Sequence, residues 1–221
     1  RNDKMHRYRL GLIRKENSTC KNVDYFFKES ITYTAISSSK FSIRYSDSNS
    51  VFDIGGASIF SNSITLFSLI ALLNSKLIDY YLSLLSPTLN FQTGDIRRLP
   101  IIFSETHKSE IDSLVQQNIS ISKTDWDSFE TSWDFESHPL QDIDKQGQVP
   151  NTVESAYENW KEYANNNFAK LKENEERLNE IFIEIYGLED ELTPEVSDKD
   201  ITITKIFDDK KEIYEDIKGN Q

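Results

Sequence analysis

The sequence predicts an α+β protein, with a small mixed sheet and a packed helix followed by a helical region that contains one long coiled-coil-like helix. Short segments rich in β-branched and aromatic residues occupy the first half, and apolar residues at helical spacing occupy the second. The chain has 221 residues, 37% of them hydrophobic and 28% charged, which is enough apolar material for a globular core.

Four short segments in the first half have the composition of strands. They are Ile31–Ile36, Phe41–Tyr45, Val51–Ile54 and Ser58–Phe60. The first two are separated by the polar residues 37–40 and predict a hairpin. Gly55 and Gly56 divide the last two, so a bend or a close backbone approach is expected there.

A helix is predicted after these strands. Ser63 can cap a helix that runs to about Leu85, where a following proline ends it. Polar residues 74–76 interrupt its apolar run, which favours a buried helix over a membrane span. Ile96–Leu99 is expected to return to the sheet as a strand.

The second half is predicted to be helical. Apolar residues at helical spacing predict a helix from Glu105 to about Ser120. Thr124 precedes acidic residues and is expected to cap another helix. Residues 139–150 are polar and bounded by prolines, as in a linker, and a short strand is expected at residues 201–203.

The longest helix is predicted over Thr152–Tyr186 and ends at Gly187, a residue suited to a left-handed cap. Its apolar stripe repeats every seven residues, with Asn167 and Asn174 as polar interruptions that can fix register. The stripe consists of Tyr157, Trp160, Ala164, Leu171, Leu178, Ile181 and Ile185.

Three regions follow from this pattern: an α+β domain at 1–103, a helical spacer or docking region at 104–192, and a charged C-terminal segment at 193–221. Neither end resembles a natural terminus, so the chain is expected to be a fragment. Its charge is uneven. Residues 1–103 carry 13 Lys/Arg and 8 Asp/Glu, and the remainder carries 12 and 29. A polyanion would therefore contact the first half, unless the acidic half simply keeps the protein soluble.

Several classes of protein are disfavoured. The single cysteine, Cys20, allows no internal disulfide, and the scattered histidines have no metal-site spacing. No secretory segment opens the sequence, so a cytoplasmic protein without membrane contact is expected. An Asn-Pro-Pro-Tyr-type base-binding loop, a glycine-rich cofactor turn and a Walker motif are all absent. Neither catalytic nor cofactor-binding residues are therefore predicted, and the fragment is expected to be inactive alone.

The remaining candidates are basic, amide and aromatic side chains on the predicted strands and loops. Lysine and arginine neutralise phosphates, arginine reads guanine, and asparagine and glutamine pair with adenine. The alternative is that they are ordinary surface charges and loop-capping amides. The candidate DNA-binding residues are Lys40, Arg44, Tyr45, Asn90, Gln92, Arg97 and Arg98.

Longer runs of sequence carry a resemblance to a known family. Tyr25–Tyr33, Phe41–Tyr45, Phe52–Phe60, Leu73–Lys76 and Ser86–Pro100 resemble, in this order, the specificity region of Taq-type adenine methyltransferases. The later segments are closer to the PglX family of adenine-specific methyltransferases in BREX phage-defence systems. These later segments are Trp126–Phe135 and Ile185–Val196.

The resemblance implies a target-recognition region and the helical spacer after it. Members of that family transfer methyl from S-adenosylmethionine to adenine N6 and so mark host DNA. Their catalytic domain would lie upstream in the same polypeptide. The implied partners are duplex DNA, that domain, and other BREX proteins or a phage inhibitor. Ser30 and Tyr33 depart from the usual glycine and tryptophan. Two alternatives stay open: a protein-interaction module, and a specificity subunit like those of type I restriction systems.

Overall fold

The computed structural model describes residues 22–37, 40–53, 55–85, 90–141, 152–203 and 205–206. Within these ranges the chain forms one three-stranded sheet and five α-helices. The predicted α+β class is therefore confirmed. Residues 1–21 and 207–221, which belong to the first and last predicted regions, lie outside the described residues.

The sheet consists of β1 (Ser30–Thr34), β2 (Ile43–Ser46) and β3 (Gly56–Ile59), in the order β2-β1-β3. The predicted hairpin of β1 and β2 is confirmed. Every pairing in this described sheet is antiparallel, whereas the sequence predicted a mixed sheet.

The strand predicted at 51–54 is wrong, because described residues 51–53 are a loop. The Asp53 side chain explains the loop, because its Oδ1 accepts hydrogen bonds from the backbone N–H groups of Gly55 and Gly56 at 2.8 and 3.1 Å. An aspartate that binds the backbone two and three residues ahead turns the chain, and β3 starts after this turn.

The two faces of the sheet differ in burial. Ile31, Tyr33 and Ile43 are buried on the inner face, whereas Thr32 and Arg44, which lie opposite each other across the β1–β2 pair, are on the outer face. This alternation is the two-residue period of a half-buried strand. The inner face packs on the helices that follow.

The single helix predicted from Ser63 to Leu85 is two helices, α1 (Leu66–Leu73) and α2 (Lys76–Leu85). The cap is Thr65, whose side chain accepts the Ser68 N–H, rather than Ser63.

The interruption between these helices lies at Asn74 and Ser75. Asn74 ends α1 because its amide turns towards β2, where Oδ1 accepts the Ile43 N–H at 2.8 Å and Nδ2 donates to the Ile43 carbonyl at 3.0 Å. The buried Ser75 hydroxyl donates to the Leu72 carbonyl at 2.6 Å.

A short helix, α3 (Thr93–Ile96), replaces the strand predicted at 96–99. The Ile96 and Arg97 N–H groups donate to the carbonyls of Gln92 and Thr93, respectively. Ile96 and Leu99 are both buried. Their spacing of three residues is that of one face of a helical turn, not the two-residue period of a strand.

The helical half contains α4 (Lys108–Asp127) and α5 (Val153–Tyr186). The long helix is confirmed at both ends: Thr152 and Ser155 form its capping box, and Gly187 ends it in the left-handed conformation at φ 64°. Thr124, expected to cap a new helix, lies inside α4, so that prediction is wrong.

One hydrophobic cluster joins the two halves. Ile31 of β1 and Leu72 of α1 belong to the same cluster as Ile111 of α4 and Phe182 of α5. The domain boundary at residue 103 stays a prediction, but the packing is continuous across it. A second cluster joins α5 to the C-terminal segment. It consists of Phe168, Leu171, Val196, Ile201 and Ile203.

Residues 201–203 are not a strand, contrary to the prediction. Ile201 and Ile203 are buried without strand pairing, in the cluster that they form with Phe168 and Leu171 of α5. Asn165 accepts the Ile206 N–H and donates to the Ile206 carbonyl, at 2.9 and 3.1 Å. A side chain of α5 therefore binds the backbone just beyond this segment.

Candidate nucleic-acid interface

Residues 90–98, here called the α3 unit, are fixed to the end of the sheet. The Phe91 N–H donates to the Ala35 carbonyl at 2.8 Å, and the Phe91 ring packs 5.1 Å from Phe41. The Tyr33 hydroxyl lies 3.3 Å from Thr93 Oγ1. These contacts place a short polar helix on a rigid base.

Four of the seven predicted DNA-binding residues lie on this unit. Asn90, Gln92, Arg97 and Arg98 are all exposed. Gln92 precedes α3 but its side chain does not cap the helix. No ion pair engages Arg97 or Arg98 within the part of the chain that the structure describes. Two arginines that are adjacent in the sequence and two amide side chains are thus exposed on the same short unit.

A groove of about 380 Å³ runs between the α3 unit and β3. Phe52, Phe91, Asp53, Asn90 and Gln92 are among the residues that line it. Amide and carboxylate groups are the side chains that bind base edges, and aromatic rings can stack on bases. The groove therefore offers suitable chemistry for an extended or unstacked nucleotide.

Arg44 is exposed on the outer face of β2, and no carboxylate of the described residues pairs with it. The α3 unit contacts Tyr33, which belongs to the inner face. None of the hydrogen bonds or ring contacts found in the described ranges joins Arg44 to the α3 unit.

Lys40 and Tyr45 are less available for contact with DNA than the residues of the α3 unit. Lys40 Nζ forms an ion pair with Asp200 Oδ2 at 2.7 Å and lies 4.0 Å from Asp79 Oδ2. Tyr45 is half-buried against Phe67, with ring centroids 6.2 Å apart. Burial, and then a hydrogen bond with Glu29, raises the pKa of the Tyr45 hydroxyl. Lys40 would have to exchange a carboxylate for a phosphate, and the Tyr45 ring faces the core.

The positive charge predicted for the first half is located mainly at its start. Residues 22–103 carry six Lys/Arg and six Asp/Glu, whereas residues 1–21 carry seven and two. The excess thus belongs to residues that the structure does not describe. In the described part, a DNA contact would depend on the local arrangement of arginines rather than on a broad basic surface.

The Leu73–Lys76 motif is a junction that composition did not identify. Asn74 binds β2, while the Lys76 N–H donates to Asn179 Oδ1 on α5 at 2.9 Å. Asn179 Nδ2 donates in turn to the Pro194 carbonyl at 3.1 Å. The motif therefore links the sheet to the long helix. In the sequence, the only indication of this junction was a polar motif within an otherwise apolar segment.

The described residues do not fit an S-adenosylmethionine site. Such a site needs a strand that leads through a glycine-rich turn into a helix, and here Gly55 and Gly56 precede a strand of an antiparallel sheet. Within the same residues no group of histidine, cysteine and acidic side chains could hold a metal ion. No step of methyl transfer is assigned to this chain, and its expected lack of a cofactor stays a prediction.

Comparison with known proteins identifies relatives. No protein-family model matches the chain. It is 41% identical over 198 residues to the adenine-specific methyltransferase PglX of Lacticaseibacillus casei (strain Zhang), covering 89% of the chain and 16% of that protein. The chain is homologous to PglX-type adenine-specific methyltransferases. It is also 35% identical over 184 residues to the adenine-specific methyltransferase BrxX of Escherichia coli O9:H4 (strain HS).

The chain spans 16% of the length of PglX and 14% of the length of BrxX. The resemblance seen in the sequence is thus confirmed, and it concerns one segment of much longer proteins. None of the helices in the described ranges is both long and apolar enough to cross a membrane.

Proposed function

We propose that the chain is a DNA target-recognition segment of a PglX-type adenine-specific methyltransferase, and that the α3 unit is its main contact with the duplex. In this proposal another part of the longer polypeptide transfers methyl from S-adenosylmethionine to adenine N6. The methylated sites would distinguish host from phage DNA, and the protein would act in the cytoplasm.

The observation that carries the proposal is the pair of exposed, unpaired arginines on a rigid base. Arg97 and Arg98 end a helix that is bonded to the sheet through Phe91 and Thr93. Arginine binds phosphate and guanine through two parallel hydrogen bonds, which need a fixed backbone to be specific.

Asn90 and Gln92 belong to the same α3 unit as the arginines, and amide side chains of this kind can pair with adenine through two hydrogen bonds each. Arg44 supplies a further phosphate contact from the outer face of β2. Lys40 would join only after release from Asp200, and Tyr45 would support β2 from the core side. Within the described residues we therefore assign the first contacts to Arg97 and Arg98.

The test compares the binding of a fluorescently labelled duplex by the whole chain and by the R97A/R98A variant, across a range of salt concentrations. Each lost phosphate contact lowers the slope of log affinity against log salt by about 0.9, so the double variant should lose about 1.8. If the arginines read bases instead, affinity falls and sequence preference weakens while the slope changes less.

The matched control is K170A/K199A, which removes two exposed lysines, one from α5 and one from the C-terminal segment. It changes the net charge equally and should leave binding nearly unchanged. The proposal is wrong if R97A/R98A binds every duplex with the affinity and salt slope of the unmodified chain. It is equally wrong if the control has the same effect as the arginine variant.

A further inference from the structure

Three large aromatic side chains are exposed where α4 ends. Trp126 is 57% exposed, Phe129 is 48% exposed and Trp133 is 102% exposed. They lie in residues 125–136, here called the aromatic turn. Isolated exposed apolar residues are ordinary, but three large aromatic side chains exposed within eight residues, among acidic neighbours, are typical of a protein-interaction site.

The aromatic turn is held in a defined conformation. Lys123 Nζ bridges Asp127 Oδ2 and Asp134 Oδ2 at 2.7 and 2.6 Å, which joins the two ends of the turn. The Ser132 hydroxyl donates to Asp127 Oδ1 at 2.7 Å. The Phe129 and Ser132 N–H groups donate to the carbonyls of Trp126 and Phe129, respectively. The rings are therefore presented on a preorganised surface, which lowers the entropic cost of binding.

The charge of the aromatic turn selects the kind of partner. Residues 125–136 contain five Asp/Glu and no Lys/Arg. The preceding Lys123 is already bound to Asp127 and Asp134. Phosphate groups of nucleic acids or anionic membranes would be repelled, whereas a guanidinium group can stack on a tryptophan and bind a carboxylate at the same time.

We propose that the aromatic turn is a docking surface for an arginine-rich segment of a partner protein. Trp126 and Trp133 are the stacking groups, Phe129 supplies apolar area, and Glu130 and Glu136 supply carboxylates that no described basic residue engages. Tryptophan and arginine are the residues most enriched at energetic centres of protein interfaces. This surface is remote in sequence from the α3 unit and does not depend on a role in DNA binding.

The test measures the heat of binding of a nonapeptide of arginine to the whole chain by isothermal titration calorimetry. The F129A/W133A variant keeps every charge and should bind at least about tenfold more weakly, since an interface centre contributes more than about 1.4 kcal/mol. The control L84A removes a different exposed apolar side chain, on α2, and should bind like the unmodified chain. Circular dichroism should be unchanged for both variants because these side chains are exposed.

A nonapeptide of lysine should bind more weakly than the arginine peptide, because an ammonium group cannot stack through a planar face. If F129A/W133A binds the arginine peptide like the unmodified chain, only the net charge of −12 attracts the peptide, and the proposal is wrong. It is also wrong if light scattering shows a dimer that this variant abolishes, because a second copy of the chain then occupies the surface.

Discussion

Two asparagines with the same hydrogen-bonding role differ in burial, and replacing each by alanine should reveal the difference. Asn179 on α5 accepts the Lys76 N–H at 2.9 Å and donates to the Pro194 carbonyl at 3.1 Å. Asn74 makes the equivalent pair of bonds to Ile43. Asn179 is 5% exposed, whereas Asn74 is exposed.

The expected loss of stability follows from what replaces the lost bonds. In N179A, the Lys76 N–H and the Pro194 carbonyl lose their partner beside a buried side chain, at about 1–3 kcal/mol each. Alanine returns about 0.5 kcal/mol through its helix propensity. The net decrease in the free energy of unfolding should therefore be about 1.5–5.5 kcal/mol. Ile43 is itself buried, but it belongs to β2, an edge strand of the described sheet, and its partner Asn74 is exposed. In N74A, water can therefore enter in place of the Asn74 amide and bond the freed Ile43 groups, so the decrease should stay below about 1 kcal/mol.

Urea unfolding followed by far-ultraviolet circular dichroism gives the free energy of unfolding of each variant. Because one hydrophobic cluster joins the sheet to α4 and α5, a single unfolding transition is expected. The two variants should then share the same dependence of the free energy of unfolding on urea concentration and can be compared directly. The reasoning is refuted if N179A loses no more stability than N74A. Equal losses would mean that water or a shifted backbone satisfies the groups around Asn179.

Two further substitutions test a half-buried carboxyl group on α5 and the glycine that ends this helix. Burial, followed by repulsion from Asp200 and Glu176, raises the pKa of Glu175 from 4.5 to about 7. Its ionisation therefore destabilises the fold as pH rises from about 4.5 to about 7, by up to about 3 kcal/mol. E175Q should raise the free energy of unfolding by that amount at pH 8 and leave it unchanged at pH 4. The exposed control E173Q should show no such pH dependence. Parallel curves of stability against pH for E175Q and the unmodified chain would contradict this. Gly187 has φ 64° and nothing lies within 4 Å of its position for a Cβ, so G187A should cost only the backbone strain of about 1 kcal/mol in urea unfolding. A loss above about 2 kcal/mol would mean that the cap geometry itself changes.

The errors of the sequence-based fold share a cause. Residues 51–53 and 96–99 have the composition of strands, but a side chain of Asp53 and the burial of Ile96 and Leu99 decide their conformation. Thr124 has the composition of a helix cap, yet α4 continues through it. Intrinsic strand or cap propensity is weak compared with tertiary packing and with specific side-chain hydrogen bonds to the backbone.

The candidate site was predictable in its chemistry and not in its arrangement. Arg97, Arg98, Asn90 and Gln92 could be chosen by residue type and by adjacency in the sequence. The ion pair between Lys40 and Asp200 could not be predicted from the sequence. The two residues are 160 positions apart and meet only because the C-terminal segment packs on α5. The same holds for Tyr45, whose side of the strand depends on the register with β1.

Several features follow from the order of the residues alone: the α+β class, the β1–β2 hairpin, both ends of the long helix and the homology to PglX-type proteins. Each of these rests on contiguous residues whose spacing or identity is sufficient. Other features become visible only in the folded protein: which described arginines lack a carboxylate partner, which aromatic rings face solvent, and how Asn74 and Asn179 join the two halves. Those features depend on residues far apart in the chain, and their energies come from burial and partner geometry that exist only after folding.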